Sequence, residues 1–142
     1  MHEVDRAWIF ERLKHSIQLL ALPPEVQPAL LPDFVCKADE LALDFDHWHD
    51  VAISNFRSEM TSGQLSSLQA LDQSLSALTG LGSQYWTDEQ VRTSEKWRSI
   101  RGLAAAALCS FDWPRETPPS HADEYVRGGL LPLRTNSCCR GS

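Results

Sequence analysis

A single apolar seam with helical spacing constrains this chain more than any other feature. Its six members follow one another at intervals of three, four, three, four and four residues. They are Ala38, Leu41, Phe45, Trp48, Ala52 and Phe56. Residues three or four apart share one face of an α-helix, whereas a strand alternates with a period of two. The seam predicts a long amphipathic helix, capped by Asp33 and running to about Met60, that must bury one face against other helices.

The same periodicity predicts three further long helices. They cover residues 4–21, residues 65–78 with a leucine stripe, and residues 87–111, where Thr87 and Gln90 have the spacing of a capping box. Shorter helices are predicted at 24–31 and 120–127, next to prolines. The expected fold is therefore all-α: a single-domain bundle of four long amphipathic helices plus one or two short ones.

The length of 142 residues fits one domain. We expect the bundle domain to span residues 1–134 and residues 135–142 to form a flexible C-terminal tail. Trp8, Trp48 and Trp97 fall on apolar stripes and are predicted core residues. Trp86 precedes a helix cap, where it could act as a hydrophobic staple. Cys109 lies within a helical pattern and is predicted to be a small buried side chain.

The charge balance narrows the range of partners. The net charge is −6, which argues against binding to nucleic acid or to an anionic membrane, since both attract clustered Lys and Arg. The first fifteen residues include many charged side chains, so no signal peptide is expected there. No run approaches the roughly 20 apolar residues of a membrane span. We therefore expect a cytoplasmic protein.

Catalytic motifs are not apparent in the sequence. There is no Gly-x-Ser-x-Gly elbow and no P-loop, and Gly80-Leu81-Gly82 follows a predicted helix rather than a strand, so it indicates a helix stop. We expect no enzyme activity and no cofactor. The alternative is a helical-bundle metal protein or enzyme that uses His49 together with His15 or His121, since imidazole and carboxylate groups are common metal ligands.

Acidic residues are concentrated on the helix that carries the seam. Residues 33–60 contain seven acidic and two basic residues. The face opposite the seam, with the residues beside it, is the predicted partner-binding stripe: Asp39, Glu40, Leu43, Asp46, His47 and Asp50. Charges steer an encounter, and an apolar anchor such as Leu43 supplies affinity. The alternative interpretation is a solvated helix face with one isolated surface leucine.

Residues 40–113 resemble small acidic helical proteins of bacteria, some of which are grouped with the immunity proteins of polymorphic toxin systems. The residues that carry this resemblance are Asp44-Phe45-Asp46, Trp48, Trp86-Thr87, Trp97, Ile100-Arg101, Ala104, Leu108 and Trp113. The resemblance implies a protein that folds alone, stays in the cytosol and binds one partner tightly. It transfers no catalytic residue.

The sequence thus favours a non-enzymatic protein-binding module, with immunity or antitoxin function as its concrete form. The expected partner is a protein, and its concrete form is a toxin with a basic surface. A structural or assembly adaptor that uses the same stripe is a further alternative.

Overall fold

The computed structural model describes residues 3–23, 37–81 and 83–119. The fold is all-α, as predicted. The helices are α1 (Glu3–Ala21), α2 (Lys37–Phe56), α3 (Ser62–Leu81), α4 (Asp88–Thr93) and α5 (Glu95–Ser110). Short 3-10 helices at Arg57–Glu59 and Ser83–Tyr85 extend α2 and precede α4. The predicted short helices at 24–31 and 120–127 and the predicted tail at 135–142 lie outside the described residues.

The bundle is built around α1 and α5, which pack against each other. α2 packs mainly against α1, and α3 packs mainly against α5, so α2 and α3 meet each other only slightly although they follow one another along the chain. The seam of α2 is buried as predicted from Leu41 to Phe56, with Leu41, Phe45 and Ala52 almost inaccessible to solvent. The side chain of Ala38 and the predicted cap Asp33 lie outside the described residues. Going around the bundle, the helix order is therefore α2, α1, α5, α3, and α3 in turn faces α2 across a looser contact.

Side-chain hydrogen bonds fix where α3 begins and how it meets α5. Thr61 and Gln64 form a reciprocal capping box: the Thr61 hydroxyl accepts from the Gln64 backbone N–H at 3.1 Å, and the Gln64 side chain accepts from the Thr61 N–H at 2.9 Å. The hydroxyls of Ser67 and Ser110 lie 2.8 Å apart. These bonds bring the start of α3 to the end of α5, so the two helices run antiparallel.

The segment after α5 folds back onto α1. Asp112 adopts a left-handed backbone conformation (φ 59°) that ends α5. Beyond it, the buried Gln18 side chain donates to the Pro114 carbonyl at 2.9 Å. The Arg115 guanidinium donates to the Ala21 carbonyl at 2.9 and 3.2 Å, satisfying an acceptor at the C-terminus of α1.

The prediction of one continuous helix over residues 87–111 is wrong, because the chain breaks at Ser94. Ser94 is extended (φ −72°, ψ 140°), and its hydroxyl accepts from the Lys96 N–H at 3.0 Å, so it caps α5. The predicted start is confirmed: the Thr87 hydroxyl accepts from the Gln90 N–H at 3.1 Å. The buried Arg101 donates to the Val91 carbonyl at 2.8 Å and thereby ties α4 to α5.

Two predicted core residues are at the surface. Trp8 is 53% exposed and packs edge-on against Trp48, with ring centroids 5.0 Å apart. Cys109 is also exposed, since it lies on the outer side of α5. The burial predicted for Trp48 and Trp97 is confirmed, and Trp86 is buried as well.

Candidate partner-binding surface

Four of the predicted partner-binding residues are exposed side chains of α2. They are Leu43, Asp46, His47 and Asp50. Leu43 is 38% exposed, which is unusual here because most large apolar side chains of the described residues are buried. Asp39 belongs to α2, but its side chain lies outside the described set. The acidic stripe is hereafter the exposed group Leu43, Asp46, His47 and Asp50.

Glu40 does not belong to this exposed group. Its side chain is only 1% exposed and interacts with other residues of the fold. The sequence placed it beside the outer face of α2, but it precedes Leu41 of the seam and turns inward with it. A buried carboxylate contacts a partner only if the bundle rearranges, so the structure does not place Glu40 with the other predicted binding residues.

A groove separates α2 from α3 because these helices pack on different neighbours. We name it the α2–α3 groove. Along α2 and the 3-10 helix that follows, it is lined by Ala42, Leu43, Phe45, Asp46, His49, Ile53 and Arg57. Along α3 it is lined by Leu65, Gln69, Asp72, Leu75, Ser76 and Thr79, and Trp86 closes one end.

The lining residues follow the helical repeat on both walls. Residues 42, 46, 49, 53 and 57 form a row on one wall, and residues 65, 69, 72, 76 and 79 form a row on the other. The start of the first row faces the end of the second, so the two walls run antiparallel. At 1.5 Å per residue, the row from Ala42 to Arg57 measures about 22 Å.

The groove consists of two adjoining depressions that share Asp72 as a lining residue. The part near Trp86 has a volume of about 340 Å³ and a mainly apolar lining, with the buried Phe45, Leu75 and Trp86 as its floor. The part near Arg57 has a volume of about 170 Å³. Beyond Ile53 and Leu65 it opens into a further depression of about 520 Å³ beside Met60.

Each wall of the groove carries an acidic lining residue, Asp46 on α2 and Asp72 on α3. The two helices together contain six acidic residues and a single basic one, Lys37. Asp46 and Asp72 stand on opposite walls of the same part of the groove. Arg57, at the far end, is the basic residue among those that line it. The charge and the apolar floor together favour a ligand that is both apolar and cationic.

The histidines that the sequence proposed as metal ligands have separate surroundings. His15 on α1 lies 3.1 Å from Glu11 of the same helix, while His49 lies 4.0 Å from Asp72. His121 lies outside the described residues. Among the residues that the structure describes, no group of three or more His, Cys, Asp or Glu side chains could hold a metal ion.

Sequence reasoning did not find the α3 wall. Asp72, Ser76 and Thr79 are polar positions on a leucine-striped helix and form no recognisable motif. Their shared spacing of four and three residues marks one face of α3, but the spacing alone does not show which helix that face meets.

Comparisons with protein-family models, curated proteins and solved structures found no match to this chain. Of the helices in the described ranges, none combines the length and the apolar content that crossing a bilayer requires.

Proposed function

We propose that this chain is a non-enzymatic protein-binding module that uses the acidic stripe of α2, and that its biological role is that of an immunity or antitoxin protein. The observation that carries the proposal is the exposure of Leu43 among Asp46, His47 and Asp50. An exposed leucine framed by like charges combines an apolar anchor with electrostatic steering.

The charge of the stripe favours a basic partner. A toxin that acts on nucleic acid must present a cationic surface to its substrate. An acidic helix face can cover such a surface and compete with the phosphate backbone for it. The immunity role, rather than protein binding alone, is proposed because the sequence of residues 40–113 suggests a resemblance to immunity-type proteins.

The experiment is a capture from an extract of the source organism with three immobilised baits. One is the wild-type chain and one is the triple variant Leu43→Ala, Asp46→Lys, Asp50→Lys. The third is a matched control, Leu81→Ala, Glu95→Lys, Glu116→Lys, which also truncates one leucine and reverses two acidic charges, but at exposed positions outside the stripe.

The proposal predicts a protein that both the wild-type and control baits retain and the stripe variant loses. The purified partner is then assayed with and without this chain. Inhibition of the partner's activity supports the immunity role, whereas a bound partner that remains fully active indicates an assembly adaptor instead. Equal retention of all proteins by the three baits would refute the stripe as a binding surface.

A further inference from the structure

We propose that the α2–α3 groove binds an amphipathic α-helix of a basic protein partner, which lies along the open side of the groove, over the approach of His49 to Asp72, and packs against both α2 and α3. This inference rests on the proposed protein-binding function and specifies the partner's structure at that site. It places the binding centre on the groove side of α2, toward Leu43 and Asp46, rather than on the side of His47 and Asp50.

The shape of the groove fits a helix. Its two walls are antiparallel helices whose lining residues recur every three or four positions. Such rows are the ridges between which the side chains of a third helix can insert. The row from Ala42 to Arg57 is about 22 Å long, which matches roughly 15 residues, or four turns, of a bound helix.

The apolar part of the groove supplies a place for anchoring side chains. The floor of this part is formed by the buried side chains of Phe45, Leu75 and Trp86. Leu43 lies at its edge and is 38% exposed. Helices that bind in grooves use apolar residues at positions i, i+3 or i+4, and i+7. A leucine or other large apolar side chain of the partner would fill this part of the groove.

Charge identifies the partner as basic. Asp46 and Asp72 flank the apolar floor from opposite walls. Lysine or arginine residues on both borders of the partner's apolar stripe would lie next to these carboxylates. A second copy of this chain is a poor occupant, because it carries a net charge of −6 and presents the same acidic helices.

The first test uses a synthetic peptide as the probe. It is an amphipathic helix of about five turns with leucines on one face and lysines on both borders. A control peptide has the same composition, but its leucines are distributed around all faces. Fluorescence anisotropy should show that the wild-type chain binds the amphipathic peptide at least about tenfold more tightly, a difference of about 1.4 kcal/mol.

Paired variants locate the site. Ser76→Trp fills the groove, whereas Ala77→Trp places the same bulk on the adjacent exposed position, which does not line it. Binding of the amphipathic peptide should weaken about tenfold or more with Ser76→Trp and remain within about twofold of wild type with Ala77→Trp. Asp72→Asn should weaken binding, while Glu116→Gln, which neutralises an exposed acid elsewhere, should not. Circular dichroism confirms that each variant is folded.

The outcomes separate this inference from the proposed function. Equal binding of both peptides, or equal effects of the two tryptophan variants, would overturn the groove inference. If a cellular partner is lost by the stripe variant but retained by Ser76→Trp, the inference is wrong and the proposed function stands. If the peptide occupies the groove while no cellular protein depends on the stripe, the proposed function fails. Self-association that Ser76→Trp abolishes would identify a second copy as the occupant and would also overturn the inference.

Discussion

The Nδ1 atom of His49 lies 4.0 Å from the Oδ1 atom of Asp72 and links α2 to α3 across the groove. This separation exceeds a hydrogen bond, so the two groups interact only through charge when the imidazole is protonated. The ring of His49 stacks on Phe45, with centroids 5.2 Å apart, which holds the imidazole at the wall of the groove. Two potential metal ligands therefore approach each other from different helices.

Two ligands are too few for a tight metal site. Structural zinc sites in proteins are almost always four-coordinate, and the described residues place no third ligand with His49 and Asp72. We expect titration of the purified chain with zinc or manganese, followed by calorimetry, to show no stoichiometric high-affinity binding. One tightly held equivalent that His49→Ala removes would contradict this and would restore the metal-protein alternative.

The core of α2 should be sensitive to truncation. Phe45 is 0% exposed, so Phe45→Ala should lower the free energy of unfolding by about 3–5 kcal/mol through lost burial and an unfilled cavity. Trp48→Ala should have a comparable effect. Leu43→Ala, two positions from Phe45 on the exposed face, serves as the control and should change stability far less. Urea unfolding followed by circular dichroism measures all three, and similar losses for Phe45 and Leu43 would contradict the assigned faces of α2.

The break between α4 and α5 should depend on the hydroxyl of Ser94. Ser94→Ala removes the acceptor for the Lys96 N–H, and loss of an N-cap costs about 0.5–2 kcal/mol. Ser99→Ala, at an exposed interior position of α5, should be neutral or slightly stabilising because alanine is the better helix former. Thermal unfolding of the two variants gives the comparison. If Ser94→Ala left the thermal stability unchanged, this prediction would be contradicted, and a helix that continues through residue 94 would be indicated.

The two kinds of residue in the acidic stripe should affect different rates of partner binding. The aspartates should affect association, and Leu43 should affect dissociation. Charge reversal by Asp46→Lys and Asp50→Lys should slow association with a basic partner and reduce its dependence on salt, since long-range attraction is lost. Leu43→Ala should act mainly on dissociation, weakening binding by about 1–3 kcal/mol if the leucine is an anchor. Surface plasmon resonance at several salt concentrations measures both rates. Unchanged rates in all variants would leave the stripe as a solvated face.

The helices themselves could be predicted because their signals are local. The spacing of Leu41, Phe45 and Trp48 marks one face of α2, and Thr87 with Gln90 marks the start of α4, as the structure has them. The break at Ser94 is not predicted, although serine is a residue that commonly caps helices. The apolar residues on both sides of it continue at helical spacing, so periodicity alone does not reveal the interruption.

Periodicity determines which face of a helix is apolar, but not which helices meet. From the sequence alone, α2 and α3 are consecutive amphipathic helices and would be natural neighbours. In the tertiary structure each packs on a different partner, α2 on α1 and α3 on α5. Asp46 and Asp72 therefore lie on opposite walls of the groove between the two helices. The same packing buries Glu40 and leaves Trp8 exposed. These positions depend on how four apolar faces share one core, which is a property of the packed helices together and not of any single segment.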